Sequence, residues 1–317
     1  MIGFVAVTDS AWFRFLRERR SEEVNFWQPS GGRGFRAVPP GSPFFFKLKQ
    51  PHHAIGGFGF FVHHSALPAW MAWETFGTGN GAPDAAAMYR NIERLRRSTA
   101  ARPAGGAQPG SYDIGCIILT GCKFFDEHDW VRVPDDFARN IVQGKRYDLT
   151  AGEGARIWEQ CRLLAAARRD DASQVADALH VATGARFGNE TLVRPRLGQG
   201  SFRIAVLDAY GRACAVSTEH SLPVLESAHI RAFAEGGSHD VANGICLRSD
   251  IHRLFDAGYV TIDEHQRFVV SRKLKDEYDN GKVYYGWHGR TISRPCDRRL
   301  WPDQDALDWH RQNKFVA

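Results

Sequence analysis

The sequence predicts an α+β chain built as two modules: a small β-barrel with helices, then a strand-loop-strand-helix hairpin in the C-terminal third. Three observations carry this expectation. The 317 residues exceed the roughly 250 at which a single core stops growing. Short apolar runs separated by turn residues fill the first 160 or so positions. A different pattern follows, in which one strand, a glycine-rich loop, a second strand and an amphipathic helix succeed one another between residues 225 and 257.

In the first module the strand runs are FVAVTD, SPFFFKLKQ, IGGFGFFVHHS, DIGCIILTG and KFFDEHDWVRVP. Between them AWFRFLRERR, PAWMAWETF and DAAAMYRNIERLRRS carry helical periodicity, the last opening on an aspartate suited to capping. STAARPAGGAQPGS reads as a surface loop. A further helix is expected from about Gly154 to Ala167, then a polar connection with some helical character. These features divide the chain into a first domain at 1–165, a linker at 166–194, a second domain at 195–290 and a C-terminal tail at 291–317.

Composition bounds the function classes. With 43% hydrophobic and 24% charged residues the chain has a core to bury and no case for wholesale disorder. No run of about 18 uncharged apolar residues occurs, and the first residues lack a basic leader, so a cytoplasmic protein away from membranes is expected. The net charge of +5 permits nucleic-acid binding without requiring it. Six cysteines at 116, 122, 161, 214, 246 and 296 form no CxxC pair. Ser217 and Ser249 stand three residues after Cys214 and Cys246, where a pair of zinc knuckles would place cysteines, so no structural zinc is expected.

The chemistry lies in VLESAHIRAFAEGGSHDVANGICLRSDIHRLFDA. Hydrolysing a phosphodiester needs a base for water and a cation for the charge developing on phosphate and leaving oxygen. His229, ending the first strand, is the candidate base, because neutral imidazole accepts a proton near neutral pH. On the helix, capped by Ser249 or Asp250, His252 and Asp256 are four apart and project from one face, as a divalent cation requires. Asn243 stands at the turn between the strands, where its amide can bind a loop carbonyl and orient His229, or reach the metal. Glu226 falls on the opposite face of the strand from His229 by alternation. Each residue alone is commonplace; their order, with 14 positions from His229 to Asn243 and nine to His252, is not.

The pattern AHIRAF…EGG…NGICL…DIHRLFD resembles the His-Asn-His (HNH) endonuclease family, and within it a branch of candidate restriction endonucleases without zinc knuckles. The resemblance covers roughly 195–290 and implies a ββα-metal fold, with His229 as general base, His252 as metal ligand and Asn243 as orienting residue. It further implies one divalent cation per site, Mg²⁺ or Mn²⁺ first, with Ni²⁺, Co²⁺ or Zn²⁺ as alternatives. The sequence departs from the family at Ala228, where many members carry a ligand just before the base, and Asp256 is the candidate to fill that gap. Arg231, Arg248, Arg253, Arg272, Lys273 and Lys275 are placed to neutralise a DNA backbone. The expected partner is double-stranded DNA, and a homodimer is expected for double-strand cutting, since one hairpin cuts one strand.

The N-terminal patterns VNFWQPSGGRGF, PPGSPFFFKL and IGGFGFFV resemble the PUA-like superfamily, in particular its EVE domains. That resemblance implies a pocket for a flipped, modified base such as a modified cytosine, with Trp12, Asn25, Trp27, Gln28 and Ser30 lining it. Together the modules suggest a modification-dependent, type IV-like restriction endonuclease acting in bacterial defence against phage. Two alternatives stay open: a nuclease whose first domain reads RNA or a DNA sequence or docks a protein, and a hairpin that binds DNA without cutting it.

Overall fold

In the computed structural model residues 1–32, 34–98, 109–138, 140–167 and 197–316 are described. The connection expected at 166–194 and most of the loop around residue 100 lie outside the described residues. The chain divides into two compact units, Met1–Arg196 and Leu197–Ala317.

The first unit is built on one sheet, from β1 (Ile2–Thr8), β2 (Val24–Gln28), β3 (Pro43–Leu48), β4 (Ala54–Pro68), β5 (Asp113–Phe124), β6 (Val131–Arg132) and β7 (Gly144–Asp148). Its order is β2-β5-β4-β3-β1-β7, with β6 added alongside β4. Strand β1 runs parallel to β3, and the other pairs are antiparallel. The expected barrel is corrected here: the sheet is open, with β2 and β7 at its two ends and no pairing between them among the described residues. Strand periodicity is the same in an open sheet and a barrel, whereas closure depends on tilt and stagger across strands far apart in sequence. A second correction concerns VNFWQ, which is not among the expected strand runs and forms the edge strand β2, paired with β5 from Val24↔Leu119 to Gln28↔Gly115.

Helices α1 (Ser10–Glu18), α2 (Ala69–Phe76), α3 (Ala85–Ser98) and α4 (Gly152–Ala167) complete this unit. Asp9 caps α1 by accepting from the backbone N–H groups of Ala11 and Trp12. The unbroken apolar run PFFFKL is explained by burial on both faces. Phe44 and Phe46 pack with Trp12, Phe13 and Leu16 of α1. Phe45 points the other way, into a cluster with Ile157 and Cys161 of α4.

Strand β4 slips register against β5 between Phe58 and Phe60 and again between Phe61 and His63, which bends a 15-residue strand. Gly57, paired with Phe124 just before the first slip, is a close approach: a Cβ there would stand 2.1 Å from the Lys123 carbonyl oxygen. Gly57→Ala is therefore expected to destabilise the chain by about 1–3 kcal/mol through overpacking. Chemical denaturation measures this, and an unchanged midpoint would refute the close approach.

The second unit comprises α5 (Gln199–Ala209), β8 (Leu225–His229), β9 (Gly244–Arg248), α6 (Ser249–Asp256), β10 (Val260–Ile262), β11 (Phe268–Val270), α7 (Lys273–Tyr278), α8 (Lys282–Tyr285) and α9 (Gln304–Asn313). Strands β8 and β9 pair antiparallel from Leu225↔Arg248 to His229↔Gly244, and β10 pairs with β11. The N-cap of α6 is Arg248 rather than Ser249 or Asp250. Asp250 instead takes both guanidinium contacts of Arg248, at 2.6 and 2.7 Å. Residues beyond 290 pack into this unit. The ring of His310 on α9 is buried and stacked on Phe255 of α6 at 3.8 Å. Among the described residues no helix is long and apolar enough to cross a membrane.

Candidate active site

The hairpin β8-loop-β9 lies between two helices. Ser227 donates to the Arg203 carbonyl of α5, and Phe202 of α5 stacks on His229 at 3.9 Å and 12°. Alternation places Leu225, Ser227 and His229 on that side and Glu226 and Ala228 on the other. On the other side Glu226 meets α6: its Oε2 is 2.6 Å from His252 Nδ1. Glu226 is thus the one carboxylate on the strand that reaches the helix, two positions back on the face that the buried Ala228 shares.

Asn243 organises the loop that joins the strands. It is buried. Its Oδ1 accepts from the Arg231 N–H at 3.0 Å, and its Nδ2 donates to the carbonyls of Arg231 at 2.9 Å and Ser238 at 2.7 Å. Both amide hydrogens are therefore spent on loop backbone. The Ile230 N–H is bonded to the Asn243 carbonyl, so the chain just after His229 is held from two directions. Gly237 makes this approach possible: a Cβ there would stand 1.9 Å from the Arg231 carbonyl oxygen and 2.9 Å from Asn243 Nδ2.

His229 is half-buried, and Nε2 faces His239 Nδ1 at 3.0 Å. Burial, then the neighbouring His239 and His252, lower its pKa from 6.5 to about 4, so the ring is neutral at physiological pH.

Among the described residues the nearest approach to a cation site is at His252. His252 has a carboxylate on each side of its ring, Glu226 at Nδ1 and Asp256 Oδ2 at 3.4 Å from Nε2. With Nδ1–H donated to Glu226, Nε2 is left for a metal beside Asp256, the usual division of labour in a metal-binding histidine. Two ligands of one small divalent cation stand roughly 3 Å apart, close to the separation of Nε2 and Asp256 Oδ2. Glu226 and Asp256 flank opposite edges of the imidazole, and no converging group of three such side chains occurs among the described residues. Water and phosphate oxygens would complete such a shell, as is common for Mg²⁺.

The expected DNA-contacting cations differ in setting. Arg253, Arg272, Lys273 and Lys275 are exposed. Arg231 and Arg248 are half-buried and already engaged. Arg231 donates to the Glu235 carbonyl and lies over Trp309, and Arg248 is paired with Asp250 over Trp287. A run of charges in sequence carries no information about which members are neutralised within the fold.

In the first unit the expected base-pocket residues do not surround one cavity. Trp12 is buried edge-on against Phe26 and Phe46. Asn25 and Trp27, on the other face of β2, bond Asn80: Asn25 Nδ2 to its side chain and Trp27 Nε1 to its carbonyl. Gln28 and the exposed Ser30 approach Gly115 together with His64. His64 also lines a cavity of about 610 Å³ whose walls include Phe35, Arg36, Phe61, His63 and Arg146. Sequence reading missed these wall residues because they come from β4, β7 and the segment after β2, with no shared motif.

Residues 214–263 match the family described as HNH endonuclease, so the second unit carries an HNH nuclease domain. None of the curated proteins matches the chain. Among solved structures, the chain is similar to one titled "Modification dependent TagI restriction endonuclease", at 15% identity and a TM-score of 0.27, covering 86% of this chain and 60% of that one. The chain thus spans about 60% of the length of that relative.

Two outcomes follow from the geometry. Asn243→Ala leaves three loop backbone groups without partners and is expected to cost about 2–4 kcal/mol; urea denaturation reads this, and a loss under 0.5 kcal/mol would show the clamp to be dispensable. His310 resembles His229 in that burial is the first cause lowering its pKa from 6.5 to about 4. A histidine whose folded pKa is depressed contributes stability above its unfolded value, and that stability is lost as pH falls through the folded one. The melting temperature should therefore drop between pH 6.5 and 4, more steeply in wild type than in His310→Gln. Parallel curves for the two would remove His310 as the cause.

Proposed function

We propose that this chain is a modification-dependent restriction endonuclease, in which the first unit holds a modified base of double-stranded DNA and the second hydrolyses a phosphodiester bond. The nuclease reading is carried by one observation: a neutral, half-buried imidazole, His229, at the end of β8, beside a loop whose backbone is clamped by the Asn243 amide.

In this reading His229 takes a proton from water as the hydroxide oxygen attacks phosphorus and the bond to the leaving oxygen breaks. Phe202 covers one face of the His229 ring and fixes its plane. His252 and Asp256 would hold a divalent cation, with Glu226 orienting His252; such a cation supplies positive charge to the phosphate and leaving oxygen. The exposed Arg253, Arg272, Lys273 and Lys275 position the backbone without reading sequence. Two chains acting together would account for a double-strand break.

Support for a reader role comes from the N-terminal patterns and from the cavity walled by Phe35, Phe61, His63 and His64. Its walls combine aromatic rings with Arg36 and Arg146, groups suited to a base and its phosphates.

Matched DNAs differing only in cytosine modification, incubated with Mg²⁺ or Mn²⁺, test both halves. Preferential cutting of modified DNA is expected, abolished in His229→Ala, with Mn²⁺ binding by calorimetry lost in His252→Ala. Equal cutting of both DNAs would remove the reader role, and undiminished cutting by His229→Ala would remove the base.

A further inference from the structure

The loop between β8 and β9 carries a second histidine to which no role has been given above. His239 Nδ1 lies 3.0 Å from His229 Nε2. Its ring is stacked on Phe233 at 4.7 Å and 1°, while Phe202 covers His229, so the two imidazoles sit between two phenyl rings. The Asn243 amide grips the backbone of Arg231, two residues after His229, and of Ser238, immediately before His239. One side chain thus fixes both ends of the histidine pair.

We infer that His239 is a positioning residue that sets the tautomer of His229, an inference resting on the reading of His229 as the base. Only one hydrogen fits between the two facing nitrogens. If His229 Nε2 carries it and donates to His239 Nδ1, the lone pair of His229 is on Nδ1, available to water. If His239 Nδ1 carries it, neutral His229 has its own proton on Nδ1 and its only lone pair already occupied. The first arrangement is the productive one. It requires His239 to be neutral, with its proton on Nε2. When water gives its proton to His229 Nδ1, the imidazolium keeps its Nε2–H bond to His239, and that bond strengthens with the positive charge. Among the described residues the titratable groups whose charge acts on His229 are His239 from the loop and His252 from α6; α5 presents the apolar Phe202 and β9 presents Gly244.

The test follows cleavage by the full chain against pH for wild type, His229→Ala, His239→Ala, His239→Asn and His239→Asp, in Mg²⁺ or Mn²⁺. Loss of the acceptor in His239→Ala should lower kcat about 10–100-fold, the range for losing a partner that orients a functional histidine, with KM little changed. Asn offers an oxygen to accept the Nε2–H and should restore most of the rate. Asp stabilises the imidazolium and should move the acid limb of kcat to higher pH. Independently of activity, ¹⁵N spectra of histidine-labelled protein should show His229 protonated on Nε2 in wild type and a shifted tautomer balance in His239→Ala. If His239→Ala does not fold, the Asn and Asp variants and the wild-type spectrum carry the test. The inference is overturned if His229→Ala is inactive while His239→Ala matches wild type in kcat and acid limb, or if the spectrum places the proton on His229 Nδ1. Full activity of His229→Ala would sink the base assignment instead, and the spectrum would still decide the tautomer.

Discussion

The amide of Asn243 is the constraint on which the candidate active site depends. A loop of this length between two five-residue strands has ample freedom to hold its ends in other geometries, and the conformational entropy of ordering it opposes folding. Three bonds from one buried side chain to Arg231 and Ser238 remove that freedom at two points at once. Because the amide is buried, each bond it makes also avoids leaving a desolvated backbone group unpaired, which is the larger of the two energies. Aspartate has no hydrogens for the two carbonyls and serine is too short to span them. Only a primary amide offers two donors and an acceptor in one plane, and glutamine would push that plane outward by a methylene.

A paired hairpin of this size is marginal by itself, and the rest of the unit supplies what it lacks. The C-terminal segment touches the loop repeatedly: Asp303 N–H bonds the Ala242 carbonyl, Lys314 pairs with Glu235 at 2.5 Å, and Trp309 lies under Arg231. On the other side Cys214 does with a thiol part of what a zinc knuckle does elsewhere, accepting from the backbone N–H groups of Ser217 and Arg248 at 3.4 and 3.3 Å. Cys246 beside it is held as a thiol, its pKa pushed up to about 12 by burial and by Cys214. The Cys214 sulfur thus acts as a buried hydrogen-bonding group of a packed core.

How much of this was legible in the sequence depended on whether the information was local. The order strand, loop, strand, helix was readable because spacing fixes which residues end each element: His229 and Asn243 fall at such ends, and His252 lies one turn into the helix. Alternation correctly put Glu226 opposite His229, but it could not say that α6 packs on that face, so the contact with His252 stayed hidden. His239 was invisible for a different reason: a single histidine in a polar loop has no period, and its pairing with His229 exists only once Asn243 has folded the loop. In the first unit the strands were visible while the openness of the sheet was not, since β2 and β7 are more than a hundred residues apart. The edge strand β2 was obscured by its aromatic and polar mixture, which reads equally well as a loop.

The depressed pKa of His229 sets up a tension that the surrounding groups resolve. As the base of the proposed reaction, an imidazole whose pKa is lowered to about 4 is unprotonated throughout the physiological range, but it is also a weaker acceptor than an ordinary imidazole. Burial and two neighbouring histidines both work in that direction, and all three effects belong to the chain without substrate. A phosphodiester brought beside the ring adds negative charge, which favours imidazolium and raises the affinity of His229 for a proton. In the proposed reaction the basicity of the site is therefore coupled to occupancy: the imidazole is kept neutral in the absence of substrate and would gain proton affinity with a phosphate next to it. The role inferred for His239 fits the same logic, because an imidazole accepting from His229 Nε2 would hold the ring in orientation without the fixed charge of a carboxylate.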